Sequence, residues 1–121
     1  MIGYTTVGSN DLEKAKTFFD AVLAPLGAKR SFGSERMQFY GAPGGGALAV
    51  CQPYDNETAS VGNGTMVALT CPSHEVVNQV HAAALAAGGS CEGEPGNRMP
   101  TFYGAYFRDL DGNKFCAFKM G

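Results

Sequence analysis

The sequence predicts an α+β domain built from two βαβββ modules, and two observations lead to it. The first is an internal repeat: Tyr4–Gly27 shifted forward by 62 positions lies on Met66–Gly89, with strand, cap, amphipathic helix and terminating glycine in the same order. Glu13, Ala21, Leu23, Ala24 and Gly27 fall on Glu75, Ala83, Leu85, Ala86 and Gly89. The identities are few, so the matched order of elements carries the repeat. The second is that each copy continues into three short segments of strand character separated by turn residues. Helices that each return across a sheet cover one of its faces and leave the other free to curl around a ligand. A duplicated half-domain builds one site between two halves.

Residues 3–8 form a β-branched leading strand, and Ser9-Asn10-Asp11 offers caps to a helix with apolar positions Leu12, Ala15, Phe19, Val22, Leu23 and Leu26. That spacing is helical, and Pro25 with Gly27 closes the helix. Strands near 29–33, 36–41 and 46–52 follow, parted by Gly33-Ser34 and by Ala42-Pro43-Gly44-Gly45-Gly46. Residues 53–62, polar and rich in turn formers, read as the linker between modules. The second module opens with a strand at 64–70. Its helix starts at Pro72-Ser73, carries an inner stripe of Val77, Val80, His81, Ala84 and Leu85, and stops at Gly88-Gly89. Strands near 90–93, 101–108 and 113–119 complete it, and Asp111-Gly112 marks a hairpin between the last two.

With 121 residues, 45% of them hydrophobic and 17% charged, the chain supports one core and one domain. A net charge of -2 gives no basic field for nucleic acid or an anionic membrane surface. No segment approaches the ~20 apolar residues of a membrane span, and Met1-Ile2-Gly3-Tyr4 lacks the features of a signal peptide. A cytoplasmic location is expected. Cys51, Cys71, Cys91 and Cys116 are widely spaced and read as reduced thiols. Asn56-Glu57-Thr58 and Asn63-Gly64-Thr65 match the glycosylation acceptor pattern but read as turns. Gly44-Gly45-Gly46 lacks the Lys and Ser/Thr of a phosphate-binding loop and precedes a strand, so it too is a turn.

Three segments resemble a known family. They are Phe107-Arg108-Asp109-Leu110-Asp111-Gly112-Asn113-Lys114, Asn10-Asp11-Leu12-Glu13 opening the first helix, and Ala21-Val22-Leu23-Ala24-Pro25-Leu26-Gly27 closing it. Together they resemble the vicinal oxygen chelate superfamily, which includes glyoxalase I, bleomycin-resistance proteins and extradiol dioxygenases. Gln52-Pro53-Tyr54-Asp55 followed by Val61-Gly62-Asn63-Gly64-Thr65 is similar to its glyoxalase-like bacterial branch. The resemblance implies the glyoxalase/bleomycin resistance fold: modules at about 1–52 and 63–121 whose sheets form a cleft, in a homodimer.

Metal-dependent members of the family draw His, His and Glu from the leading and closing strands, with open positions for substrate oxygens or water. On this chain the family's ligand positions fall on Tyr4, Met66 and Cys116. A phenol, a thioether and a thiol make a poor cage for a hard or borderline divalent ion. Neither a metal nor another cofactor is expected. His74 and His81 lie on the second helix, away from those strands, and read as a surface or a satisfied histidine. Asp109 and Asp111 lack the alternating acids and closing Glu of a calcium loop, so they read as a turn.

Period-two alternation, with the family superposition choosing the face, gives the cleft walls as Tyr4, Thr6, Met37, Phe39, Ala49, Cys51, Met66, Ala68, Tyr103, Ala105, Cys116 and Phe118. This apolar and aromatic set suits a small hydrophobic or aromatic molecule, with Arg36, Arg98 or Arg108 as a charged anchor at the rim. The same residues could equally fill the space between helices and sheet. Candidates for chemistry are few. Cys116 has only Lys114 within reach to lower its pKa, and Tyr4 and Tyr103 offer hydroxyls as donors or general acids. Three functions stay open: a metal-free binding protein, a lyase, isomerase or dioxygenase with a non-standard metal site, and a structural or regulatory dimer. The first is favoured, and lactoylglutathione lyase activity is expected to be absent.

Overall fold

A computed structural model describes all residues from Met1 to Gly121. The first module consists of β1 (Tyr4–Gly8), α1 (Leu12–Leu23), a 3₁₀ turn (Ala24–Leu26), β2 (Lys29–Gly33), β3 (Met37–Gly41) and β4 (Ala47–Cys51). The second consists of β5 (Val67–Thr70), α2 (His74–Ala86), β6 (Ser90–Met99), β7 (Phe102–Arg108) and β8 (Lys114–Met120). Each module makes one mixed four-stranded sheet, ordered β1-β4-β3-β2 and β5-β8-β7-β6. In both, the leading strand runs parallel to the last and the other pairs are antiparallel. The expected α+β architecture of two βαβββ modules is the observed one. No strand or helix forms between Cys51 and Val67, and β6 continues six residues beyond the expected end at Gly93, to Met99.

Local chemistry accounts for both helices. The Asp11 side chain accepts from the Lys14 N–H and the Ser73 hydroxyl from the Val76 N–H, each satisfying a backbone donor that the first helical turn leaves free. The inner stripe of α1 is Ala15, Phe18, Phe19, Val22 and Leu23; that of α2 is Val77, Val80, His81 and Ala84, with Leu85 turned outward. At the C-termini the repeat slips by one residue. Gly27 (φ 72°) donates to Ala24 O and Ala28 to Leu23 O, while Gly88 (φ 102°) donates to Leu85 O and Gly89 to Ala84 O. Gly27 is therefore the counterpart of Gly88 rather than of Gly89, and the extra residue of module one is taken up in the 3₁₀ turn that Pro25 starts. Gly89 is glycine for a different reason: a Cβ there would lie 2.5 Å from Arg108 O and 2.9 Å from Ala84 O.

One apolar core spans both modules. Phe19 on α1 packs against Tyr40 of the first sheet and Phe115 of the second. Polar contacts add to the join. Asn113 Nδ2 donates to Gly8 O at the end of β1, Asn10 N donates to Asp111 Oδ1, and Asn10 exchanges two hydrogen bonds with the Ala59 backbone. The Asp109–Asn113 run is a turn, as expected, and it also ties the second sheet to the first. All four cysteines are free thiols, and no helix is long and apolar enough to cross a membrane.

Candidate functional site

Strand register assigns every side chain to a face. In the first sheet Phe39 pairs with Ala49, Met37 with Cys51, and Thr6 with Ala49, which puts these residues and Tyr4 on the face away from the helices. In the second sheet Ala68 pairs with Cys116, Thr70 with Phe118, Tyr106 with Cys116 and Gly104 with Phe118. Met66, just ahead of β5, shares that parity. Tyr103 and Ala105 do not. They pair with Lys119 and Ala117 on the helix-covered face, Ala105 inside the core and Tyr103 stacked on His74 at 4.0 Å with its hydroxyl donating to Asn78 Oδ1. The cleft-facing residues of β7 are instead Phe102, Gly104 and Tyr106. The cause is the five-residue turn, which pairs Arg108 with Lys114 and so sets even-numbered β7 residues beside even-numbered β8 residues.

The helix-free faces are aromatic and open. On the first, Phe39 packs between Tyr4 (5.1 Å) and Phe32 (5.9 Å), and both flanking rings are more than half exposed. On the second, Phe102 stacks on Phe118 at 5.3 Å. Tyr106 occupies the place that Phe39 occupies in the first sheet, each paired with the residue beside the leading strand's counterpart, Cys116 or Ala49. Two cations flank Tyr106: the Arg98 guanidinium 5.3 Å and the Lys114 ammonium 5.7 Å from the ring centroid. Arg98 is held down by hydrogen bonds to Gly96 O and Glu94 O, and lies over Gly93 and Gly96, where a Cβ would come within 3.0 and 3.2 Å of its nitrogens. Neither cation is paired with a carboxylate, whereas Arg108 is paired with Glu92 and Arg36 lies over Tyr54 with a bond to Gln52 O.

Between the edge strands β1 and β5 runs a groove of about 840 Å³, lined by Ile2, Thr5, Leu48, the Gly44–Gly46 turn and Met66–Pro72. Met66 and Ala68 belong both to this groove and to the helix-free face.

The chemistry of the expected ligand positions argues against a metal among them. Burial pushes the Cys116 thiol above its ordinary pKa even though the Tyr106 hydrogen bond, Arg98 and Lys114 pull the other way, so the sulfur keeps its proton at neutral pH and is not a ready nucleophile. Tyr106 is raised as well, by burial and then by neighbouring Cys116. Tyr4 offers a phenol and Met66 a thioether, both on exposed side chains. A divalent ion does not fit this trio. One reading of the histidines needs correction. His81 is buried, as a residue of the inner stripe should be, but it is not satisfied: its Nε2 has no hydrogen-bond partner.

A family model for the Glyoxalase/Bleomycin resistance protein/Dioxygenase superfamily matches residues 1–117. The chain belongs to this superfamily. The superfamily's fold is repeated in solved structures. A glyoxalase/bleomycin resistance protein from Albidiferax ferrireducens T118 shares 38% identity with a TM-score of 0.93 over 100% of this chain and 99% of that one. A hypothetical protein, SA1046, from S. aureus shares 25% identity with a TM-score of 0.76, over 98% of this chain and 92% of that one. A lactoylglutathione lyase from Agrobacterium tumefaciens superposes with a TM-score of 0.72 at 18% identity, over 98% of this chain and 92% of that one, a likeness of fold alone. A comparison with curated proteins gave no match.

Proposed function

We propose that this superfamily member binds a small aromatic anion on the helix-free face, with no metal taking part at that site. The observation that carries the reading is Tyr106 flanked by Arg98 and Lys114, two cations with no carboxylate partner beside an open aromatic surface. A flat ring stacks on Tyr106, Phe118 or Phe39, and an acidic substituent meets the guanidinium, which its backbone bonds have already oriented. The donor chemistry at Tyr4, Met66 and Cys116 supports binding without a metal, and the protonated Cys116 supports binding without covalent catalysis. A homodimer of the 12.7 kDa chain belongs to the same reading, to be checked by sedimentation velocity. So does a cytoplasmic location, which four free thiols suit.

Calorimetric titration with 2-naphthoate tests the reading. Binding is expected, weaker for the uncharged 2-naphthylmethanol, and unchanged by a chelator. Tyr106→Ala and Arg98→Gln should each weaken naphthoate binding about tenfold, the equivalent of ~1.4 kcal/mol of stacking and charge. Equal affinity of Tyr106→Ala and the unaltered chain would remove the basis of the proposal.

A further inference from the structure

On the helix-covered side of the second module, away from the aromatic face, three side chains converge without serving the core or the proposed binding. His81 is 3% exposed, and its Nε2 lacks any hydrogen-bond partner, an unfavourable state for a buried polar group. A ring nitrogen of His81, the Cys91 Sγ and a Glu94 carboxylate oxygen all lie within 4.8 Å of one another. Cys91 Sγ stands 3.5 Å from Glu94 Oε1. In a regular strand, residues three apart point to opposite faces. β6 is irregular here: its pairing with β7 shifts between Cys91 and Gly93 and again between Gly93 and Gly96. The added residue turns Glu94 to the side of Cys91 and toward α2, the re-aiming that a bulge performs.

We propose that His81, Cys91 and Glu94 form a zinc site. An imidazole, a thiolate and a carboxylate match a borderline-soft divalent ion, and three protein ligands leave the fourth tetrahedral position to water. Donors at ~2.0–2.3 Å from a tetrahedral ion are roughly 3.3–3.8 Å apart, so the Cys91–Glu94 pair already has the required spacing. The His81 nitrogen lies no more than 4.8 Å from either, so a shift of at most about 1 Å completes the set. On binding, the Cys91 S–H bond breaks, its proton passes to solvent and an S–Zn bond forms. One thiolate and one carboxylate then balance the charge of the ion. The coordinate bond gives the buried ring a polar partner and fastens α2 to β6. The site owes nothing to the aromatic face, so failure of either proposal leaves the other standing.

Cobalt(II) added to the full-length, chelator-treated chain is the probe. One equivalent should bind with a thiolate-to-cobalt charge-transfer band in the near ultraviolet and tetrahedral bands in the visible, and zinc should displace it. Cys91→Ser should abolish the charge-transfer band, and Glu94→Gln should weaken binding at least about tenfold. Both positions are accessible to solvent, so circular dichroism should show each variant folded. Absence of the band in the unaltered chain under excess cobalt, or its survival in Cys91→Ser, overturns the assignment.

Discussion

Phe19→Ala is expected to destabilise the chain by about 3–5 kcal/mol, a large share of the ~5–15 kcal/mol that holds a typical domain folded. Phe19 is fully buried, and its ring meets Phe18 edge-on at 5.1 Å, Tyr40 at 6.2 Å and Phe115 at 5.5 Å. Those partners come from α1, from the first sheet and from the second. The backbone around such a junction cannot collapse into the void, because closing it would mean moving one sheet against the other. The loss is therefore the transfer energy of the ring plus most of the cavity cost. Urea denaturation checks both the size of the effect and its origin. The unaltered chain should unfold in one transition, since the core is continuous across the modules. Phe32→Ala, at an exposed ring on the helix-free face, should change stability by less than ~1 kcal/mol. A loss near that small value for Phe19→Ala, or two separate transitions in the unaltered chain, would contradict a shared core.

The modules were legible because each element carries its own chemical punctuation: Asp11 and Ser73 as caps, Gly27 and Gly88 at φ values that suit glycine, and Asp111-Gly112 at the hairpin. The face of β7 was not. Phe102, Tyr103, Ala105, Tyr106 and Phe107 are apolar or aromatic on both sides of the strand, so alternation offers no polar marker of phase. The turn length supplies one, since pairing Arg108 with Lys114 selects Tyr106. Tyr103 lies on the helix-covered face because the five-residue turn sets even-numbered, not odd-numbered, β7 residues beside Cys116 and Phe118. The His81–Cys91–Glu94 grouping lay beyond alternation altogether, because it depends on irregular pairing in β6 that no local residue announces. The aromatic face could be read in part from composition; its cations could not be ranked without knowing which of Arg36, Arg98 and Arg108 are paired.

Asp109→Ala is expected to cost about 2–4 kcal/mol, because one carboxylate serves three donors and each buried donor left unpartnered costs about 1–3 kcal/mol before water relieves part of it. Asp109 is 5% exposed. Its Oδ1 accepts from Asp111 N at 3.0 Å and Asn113 N at 2.8 Å, and its Oδ2 accepts from Asn113 Nδ2 at 2.9 Å. The same Asn113 amide reaches Gly8 O of the first sheet at 2.9 Å, so loosening the turn also loosens the join. Asp109→Asn should lose less, about 1–2 kcal/mol, because an amide oxygen still serves the backbone donors while its NH₂ opposes that of Asn113. Burial raises the pKa of Asp109 above its ordinary value despite these donors. A raised folded-state pKa means that the folded chain binds this proton more readily than the unfolded one, so the contribution of Asp109 to stability grows on acidification and falls as pH rises through the folded pKa. Urea midpoints of Asp109→Ala and the unaltered chain, compared between about pH 4 and neutrality, should therefore diverge toward the acid end. A gap that narrows on acidification would show that the hydrogen bonds to the ionised carboxylate outweigh its desolvation.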